Sequence, residues 1–196
     1  MNANRFFNIL TGAGFGFIGV GTFLTSCLFT VNGGERAILF DRLKGVLPRI
    51  YGEGFHFMIP IIQTPKFYEI RVMPKVYTSK TGTRDLQTVN ISMRILFKPN
   101  EHNLDKIFLK YGENYEERVL PSLTNEVLKA VIAMYDALEL LIKREDVSIQ
   151  IKRLLTQRAK DFNIIINDVA ITELTFQEAF NEAIERKQMA QQVAEE

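Results

Sequence analysis

Thr88-Val89-Asn90-Ile91-Ser92-Met93-Arg94-Ile95-Leu96-Phe97-Lys98 alternates apolar and polar side chains along its whole length. Val89, Ile91, Met93, Ile95 and Phe97 fall on one side, and Leu96 is the single apolar intrusion on the other. A sustained period of two predicts a β-strand with one buried and one wet face, the pattern of an antiparallel sheet. Just upstream, Thr78-Ser79-Lys80-Thr81-Gly82-Thr83-Arg84-Asp85 reads as a polar turn. It predicts a hairpin between this strand and one around Phe67 to Val76.

Further upstream, Ala37-Ile38-Leu39-Phe40 predicts a short buried strand after the flexible joint Asn32-Gly33-Gly34. Gly45, Pro48, Gly52 and Gly54 break the chain into turns before Phe55-His56-Phe57-Met58-Ile59, a run ended by Pro60. That run reads as a core or edge strand, with lipid contact as the alternative. His56 between two phenylalanines reads as a packed or hydrogen-bonded side chain, because no second ligand is near it.

After Pro99 the period becomes helical. Leu104, Ile107, Phe108 and Tyr111 form one stripe that stops at Gly112. Leu120, Leu123, Val127, Leu128, Val131 and Tyr135 form a second, with Pro121 near a helix start or a kink. Asp136 and Glu139 have capping-box spacing. Val147, Ile151, Leu154, Leu155, Ala159 and Phe162 give a third stripe, with Asn163 placed to end it. Ile164-Ile165-Ile166 and Val169-Ala170-Ile171 then predict a returning extended segment that bends at Asn167-Asp168. Strands, then helices, then a returning strand make the class α+β.

The two ends differ from this middle. No charged residue occurs between Arg5 and Glu35. About 20 apolar residues in a helix cross a hydrocarbon core, so the segment from about Ile9 to Phe29 predicts a single transmembrane anchor. Its candidate residues are Ile9, Leu10, Gly12, Gly16, Phe17, Ile18, Val20, Phe23, Leu24 and Leu28, and the G-x-x-x-G pair Gly12/Gly16 would allow close helix approach. At the other end Phe176, Phe180, Ala183, Lys187, Ala190 and Ala194 recur at alternating steps of four and three, the seam of a coiled-coil assembly helix. No stop signal follows, so the helix is expected to continue past Glu196. The expected organisation is an anchor at 1–34, one α+β domain at 35–175 and the start of a long coiled coil at 176–196.

Other uses of the N-terminal segment are weaker. A cleaved signal peptide would have a shorter apolar stretch and a more basic start than Arg5 alone, although Leu24-Thr25-Ser26-Cys27 has the look of a bacterial lipoprotein box. Gly14-Phe15-Gly16-Phe17-Ile18-Gly19 matches the dinucleotide fingerprint, but no βαβ unit surrounds it. A mitochondrial presequence would need more arginine.

Composition narrows the function classes. The chain has 24 Lys+Arg against 23 Asp+Glu, without the basic excess of a nucleic-acid binder. One cysteine and two histidines exclude an intrachain disulfide framework and leave no Cys/His zinc cluster. Neither His56 nor His102 lies in a nucleophile-elbow context, and there is no Walker loop or H-E-x-x-H. The adjacent pairs Glu116-Glu117 and Glu195-Glu196 point in different directions on a helix and read as solvated. No catalytic, cofactor-binding or metal residue is therefore expected. Anchor, compact domain and assembly helix are the plan of a scaffold.

Several runs carry a family resemblance: Arg36-Ala37-Ile38-Leu39-Phe40-Asp41-Arg42, Gly52-Glu53-Gly54-Phe55-His56-Phe57 and Asp85-Leu86-Gln87-Thr88-Val89-Asn90-Ile91. Tyr115-Glu116-Glu117-Arg118-Val119-Leu120-Pro121-Ser122, Asn125-Glu126-Val127-Leu128-Lys129 and Lys187-Gln188-Met189-Ala190-Gln191-Gln192 continue it. From Gly34 to Glu196 the chain resembles the prohibitins of the stomatin/prohibitin/flotillin group. Phe40-Asp41-Arg42 and Asp136-Ala137-Leu138-Glu139-Leu140 resemble the first of the two paralogues, while Glu116-Glu117-Arg118, Asn125-Glu126-Val127-Leu128-Lys129, Lys160-Asp161-Phe162 and Asp168-Val169-Ala170-Ile171-Thr172-Glu173-Leu174 resemble the second, to which the balance leans slightly.

The resemblance implies a non-enzymatic subunit without cofactor in a large ring or cage of the mitochondrial inner membrane, alternating with a second paralogue. It also implies association with AAA-type membrane proteases, stabilisation of newly made membrane proteins, and organisation of cardiolipin and phosphatidylethanolamine. The domain would face the intermembrane space. Arg36, Arg42, Lys44 and Arg49 after the anchor would by charge bias place it on the matrix or cytoplasmic side. The resemblance takes precedence because import into mitochondria is not bound by that rule. In the expected mechanism, sheet edges and helices pack laterally and the coiled coil closes the assembly. The alternatives are an exported bacterial lipoprotein and a stomatin-like protein anchored in another membrane.

Overall fold

The computed structural model describes residues 27–176. The anchor candidates Ile9, Leu10, Gly12, Gly16, Phe17, Ile18, Val20, Phe23 and Leu24 lie outside the described residues. So do Phe180, Ala183, Lys187, Ala190 and Ala194 of the assembly seam. The class is α+β, and the chain divides into two compact units, residues 1–70 and 71–196. This division falls inside the stretch read as one domain.

The first unit is built from short strands. β1 (Leu28–Val31) pairs antiparallel with β4 (Gly54–Phe57), and β2 (Glu35–Asp41) lies between β3 (Gly45–Tyr51) and β5 (Gln63–Glu69). Ala37, Ile38 and Leu39 are buried, as their apolar run predicts. Phe29, Val31, Ala37 and Leu39 form a small core, joined by Leu47, Tyr51 and Met58. Leu28 and Phe29 are strand residues, so the proposed anchor cannot extend through them. Pairing of Leu28 with Phe57 and burial of Phe29 fix their backbone in the sheet.

The second unit is a three-stranded antiparallel sheet, in the order β6 (Met73–Gly82), β7 (Thr88–Pro99), β8 (Ile164–Phe176). Val89, Ile91, Met93, Ile95 and Phe97 of β7 are all fully buried. Each contributes about 1.5–3 kcal/mol of burial energy on the usual area scale, which makes β7 the spine of the unit. The hairpin exists, but its first strand begins at Met73, and the residues read as a turn continue the strand to Gly82. The reading of one strand from Phe67 to Val76 merges the ends of β5 and β6. The alternation of Thr78 and Lys80 outward with Ser79 and Thr81 inward is a strand pattern written in small polar residues.

Four helices follow: α1 (Leu104–Tyr111), α2 (Tyr115–Ile132), α3 (Ala137–Ile142) and α4 (Arg144–Ala159). Gly112 ends α1 at φ 80, a conformation that suits glycine. Pro121 lies inside α2, where its missing N–H leaves one carbonyl of the preceding turn without its helix bond. Asp136 and Glu139 form the expected capping box, with the Glu139 carboxylate accepting from Asp136 N–H at 3.3 Å. A 3-10 turn, Lys160–Phe162, follows α4, and Asn163 stops it in the left-handed region at φ 58. Two register shifts kink β8, one beside Asn167, where the bend was expected. Phe176 pairs with Val89 and is buried. It closes the strand, so Phe176, expected as the first residue of the assembly helix, is a strand residue instead.

Candidate functional site

One end of the first unit gathers exposed apolar side chains. Strand alternation explains part of it: in β4, Phe55 and Phe57 share a face, at 78% and 79% exposure, while His56 turns the other way. Phe57 lies opposite Leu28 and Phe55 opposite Thr30. Two loops add Leu43, Ile59 and Ile61, of which Leu43 and Ile61 are as exposed as the phenylalanines. Exposed leucines scattered singly need no explanation, whereas a concentrated set of this kind marks an interaction surface.

The loops are held rigidly. Asp41, almost fully buried, accepts from Leu43 N at 2.8 Å and Lys44 N at 3.2 Å, closing the β2–β3 turn. The Leu43 amide, with Gln63 and Lys44, holds its carboxyl below the ordinary value against the opposing effect of burial. Gln63 joins this turn to the β4–β5 loop: its Nε2 donates to Asp41 Oδ2 at 3.3 Å, and its Oε1 accepts from Ile59 N at 2.9 Å. Arg42 N donates to Ile62 O at 3.0 Å. Ile61 has φ 76, an uncommon conformation for a β-branched residue, and its side chain is exposed.

At this same end Met58 N donates to Cys27 O at 2.8 Å, so Cys27, the first described residue, sits beside the β4–β5 loop. The other end carries the turn at 32–34 and the Arg36–Glu53 pair at 3.3 Å. Arg42 and Lys44 flank Leu43 and are exposed, so cations rim the apolar surface. Leucine, isoleucine and phenylalanine beside arginine and lysine is the composition of a surface that meets a bilayer interface.

His56 belongs to the packing. Its ring packs tilted against Phe29 at 5.5 Å and edge-on to Tyr51 at 5.2 Å, and Nε2 lies 2.7 Å from Gly52 O. Arg49 covers the Tyr51 ring at 5.1 Å. Among the described residues no group of His, Cys, Asp and Glu has the arrangement to hold a metal ion, and no helix is long and apolar enough to cross a membrane. Of the sequence-derived site residues only Leu28 and Phe176 are described, Leu28 in the first unit and Phe176 in the second. Sequence reasoning missed Leu43 and Ile61, and read Phe55 to Ile59 as a core or edge strand with lipid contact as the alternative. The legible signal was a leucine between two cations, Arg42-Leu43-Lys44, just before a turn glycine.

The SPFH domain / Band 7 family matches residues 29–196. The chain is 50% identical over 193 residues to "Prohibitin-4, mitochondrial" of Arabidopsis thaliana, covering 98% of this chain and 69% of that protein. It is 46% identical over 194 residues to "Mitochondrial prohibitin complex protein 1" of Caenorhabditis elegans, covering 99% and 70%. With "Prohibitin-2" of Mus musculus it shares 50% over 188 residues, covering 95% and 62%. Identities this similar to both numbered types do not select a paralogue.

Proposed function

The chain belongs to the SPFH domain / Band 7 family, in its prohibitin branch, and from that premise we propose that it is a non-enzymatic scaffold subunit of a mitochondrial membrane complex. The observation that carries the membrane part is the rigid apolar end of the first unit, rimmed by Arg42 and Lys44 and adjoining Cys27. An uncharged segment precedes Cys27. In this reading the segment anchors the chain in the inner membrane and ends before Leu28, and Leu43, Phe55, Phe57, Ile59 and Ile61 rest in the interface beside it. Burying such side chains contributes roughly 1.5–3 kcal/mol each, enough for five of them to hold the unit against the surface.

The finer parts of the proposal follow the resemblance. The second unit and the segment after Phe176 carry assembly with a similar second subunit, through a coiled coil seamed by Phe180, Ala183, Lys187, Ala190 and Ala194. The complex faces the intermembrane space, surrounds lipids such as cardiolipin and phosphatidylethanolamine, and adjoins an AAA-type protease. Exclusion by the assembled wall suffices for this, with no chemistry at the subunit. Native gel electrophoresis of a gentle membrane extract tests the proposal. The expected complex is many times the 22.5 kDa of the chain; a detergent-free soluble monomer would overturn it.

A further inference from the structure

Helix α4 meets the sheet of the second unit through two parallel stripes. Val147, Ile151, Leu155 and Ala159 recur every four residues and are all fully buried. Arg144, Ser148 and Lys152 form a second stripe, three residues earlier at each step and so rotated by about 60° around the axis. The apolar stripe packs on the sheet. The polar stripe follows β8, an edge strand.

Each member of that stripe is bonded to β8. Arg144 Nη2 donates to Ile171 O at 2.6 Å and to Thr172 O at 2.8 Å. Ser148 Oγ donates to Val169 O at 3.1 Å, and Lys152 Nζ to Asp168 Oδ1 at 2.8 Å. In an antiparallel edge strand every second residue turns its carbonyl away from the ladder, and residues 169 and 171 share that phase. Thr172 is the extra residue of a bulge, because Glu173 lies opposite Ser92 and Ile171 opposite Met93. Its hydroxyl donates to Ser92 O at 2.9 Å, so the bulge is fastened from both sides.

A β8 edge of 13 residues would otherwise be a long template for pairing with another chain. Close packing of copies in an assembly raises that risk. We propose that Arg144, Ser148 and Lys152 are a clip that closes the β8 edge against strand addition by a second copy of the chain. The clip also sets the bulge from which β8 runs to Phe176. Association is thereby directed to surfaces other than this edge, which revises the expectation that sheet edges pack laterally. The proposal rests on the assembly reading for its biological consequence but not for its structural readout.

The test compares full-length wild type, Arg144→Ala/Lys152→Ala and Arg144→Lys. Amide hydrogen exchange over residues 166–173 and thioflavin T binding on incubation are followed. The double variant is expected to exchange at least about tenfold faster there and to form thioflavin-positive assemblies, with Arg144→Lys intermediate. Wild-type exchange and wild-type association in the double variant would overturn the clip. If the double variant loses its helical circular dichroism, Arg144→Lys decides, and wild-type behaviour in it would also overturn the clip. A wild-type chain that stays monomeric would contradict the assembly reading while leaving the exchange result to judge the clip.

Discussion

Arg84 and Asp136 lie 52 residues apart in sequence and face each other in the fold: Arg84 Nε donates to Asp136 Oδ1 at 2.8 Å, and its Nη2 to the second carboxylate oxygen. Nη2 also reaches Glu139 Oε2 at 3.4 Å, and Arg84 N donates to Tyr135 O at 2.9 Å. Asp85 adds a bond from Ala137 N at 3.2 Å. The tip of the β6–β7 hairpin is thus fastened to the start of α3, and the capping box serves a tertiary contact as well as a helix end.

This contact predicts an acid-sensitive stability. The Arg84 bond holds Asp136 below its ordinary value of 3.8, and the Asp136 amide and Lys143 hold Glu139 below 4.5. Groups with depressed folded values stabilise fully above their unfolded values and lose that contribution as pH falls through the folded ones. The thermal midpoint should therefore be level from neutral pH to about 5 and fall below about 4. Arg84→Ala should lower the midpoint at neutral pH and flatten part of the acid decline; melting followed by circular dichroism across this range checks both. An unchanged profile would remove the contact from the account.

Ile61 separates stability from surface function. Its positive φ is a conformation that glycine adopts freely, so Ile61→Gly should leave the thermal midpoint unchanged or raise it. The same substitution removes an exposed apolar side chain. The shielding of the neighbouring Phe57 from aqueous reagents in vesicles should drop. A loss of stability would show that Ile61 serves packing.

Asn163 stands in the left-handed region and its carbonyl accepts from Asn100 N at 2.9 Å. Asn163→Ala should cost about 1–2 kcal/mol, the penalty of a left-handed L-residue. Asn163→Gly should cost less, by urea denaturation. Equal losses would mean that the side chain, not the backbone, is what matters there.

The proposed coiled coil makes the assembly prediction. Phe180→Asp with Ala183→Asp places charge in the seam and should abolish high-mass complexes, leaving the fold of residues 27–176 unchanged by hydrogen exchange. Wild-type migration on a native gel would exclude the seam.

What the sequence revealed followed from strength of pattern. Val89 to Phe97 alternate so regularly that β7 could be read directly, and the stripes of α1, α2 and α4 were clear for the same reason. Gly112 and Asn163 marked ends because few other residues tolerate positive φ. The edges of β6 were illegible, since Ser79 and Thr81 are buried polar residues that resemble a turn. Leu28 and Phe176 were misassigned because apolar residues at the end of a strand continue the hydrophobic pattern of whatever adjoins them. The apolar end was legible only in the run Phe55 to Ile59, because Leu43 and Ile61 lie outside that run and their loops are joined to each other through Asp41 and Gln63. The Arg144 clip was invisible, since its partners are backbone carbonyls.

If the apolar end of the first unit rests in a bilayer interface, spin labels on it will be accessible to lipid-soluble and not to water-soluble reagents. Labels placed at Phe57→Cys, Ile61→Cys and Gly33→Cys, each with Cys27→Ser in the full-length chain, are compared in vesicles of phosphatidylcholine, phosphatidylethanolamine and cardiolipin. Labels at 57 and 61 should collide with oxygen and be shielded from a water-soluble nickel chelate, while the label at 33 should show the reverse. Equal nickel access at all three positions would contradict contact with the interface.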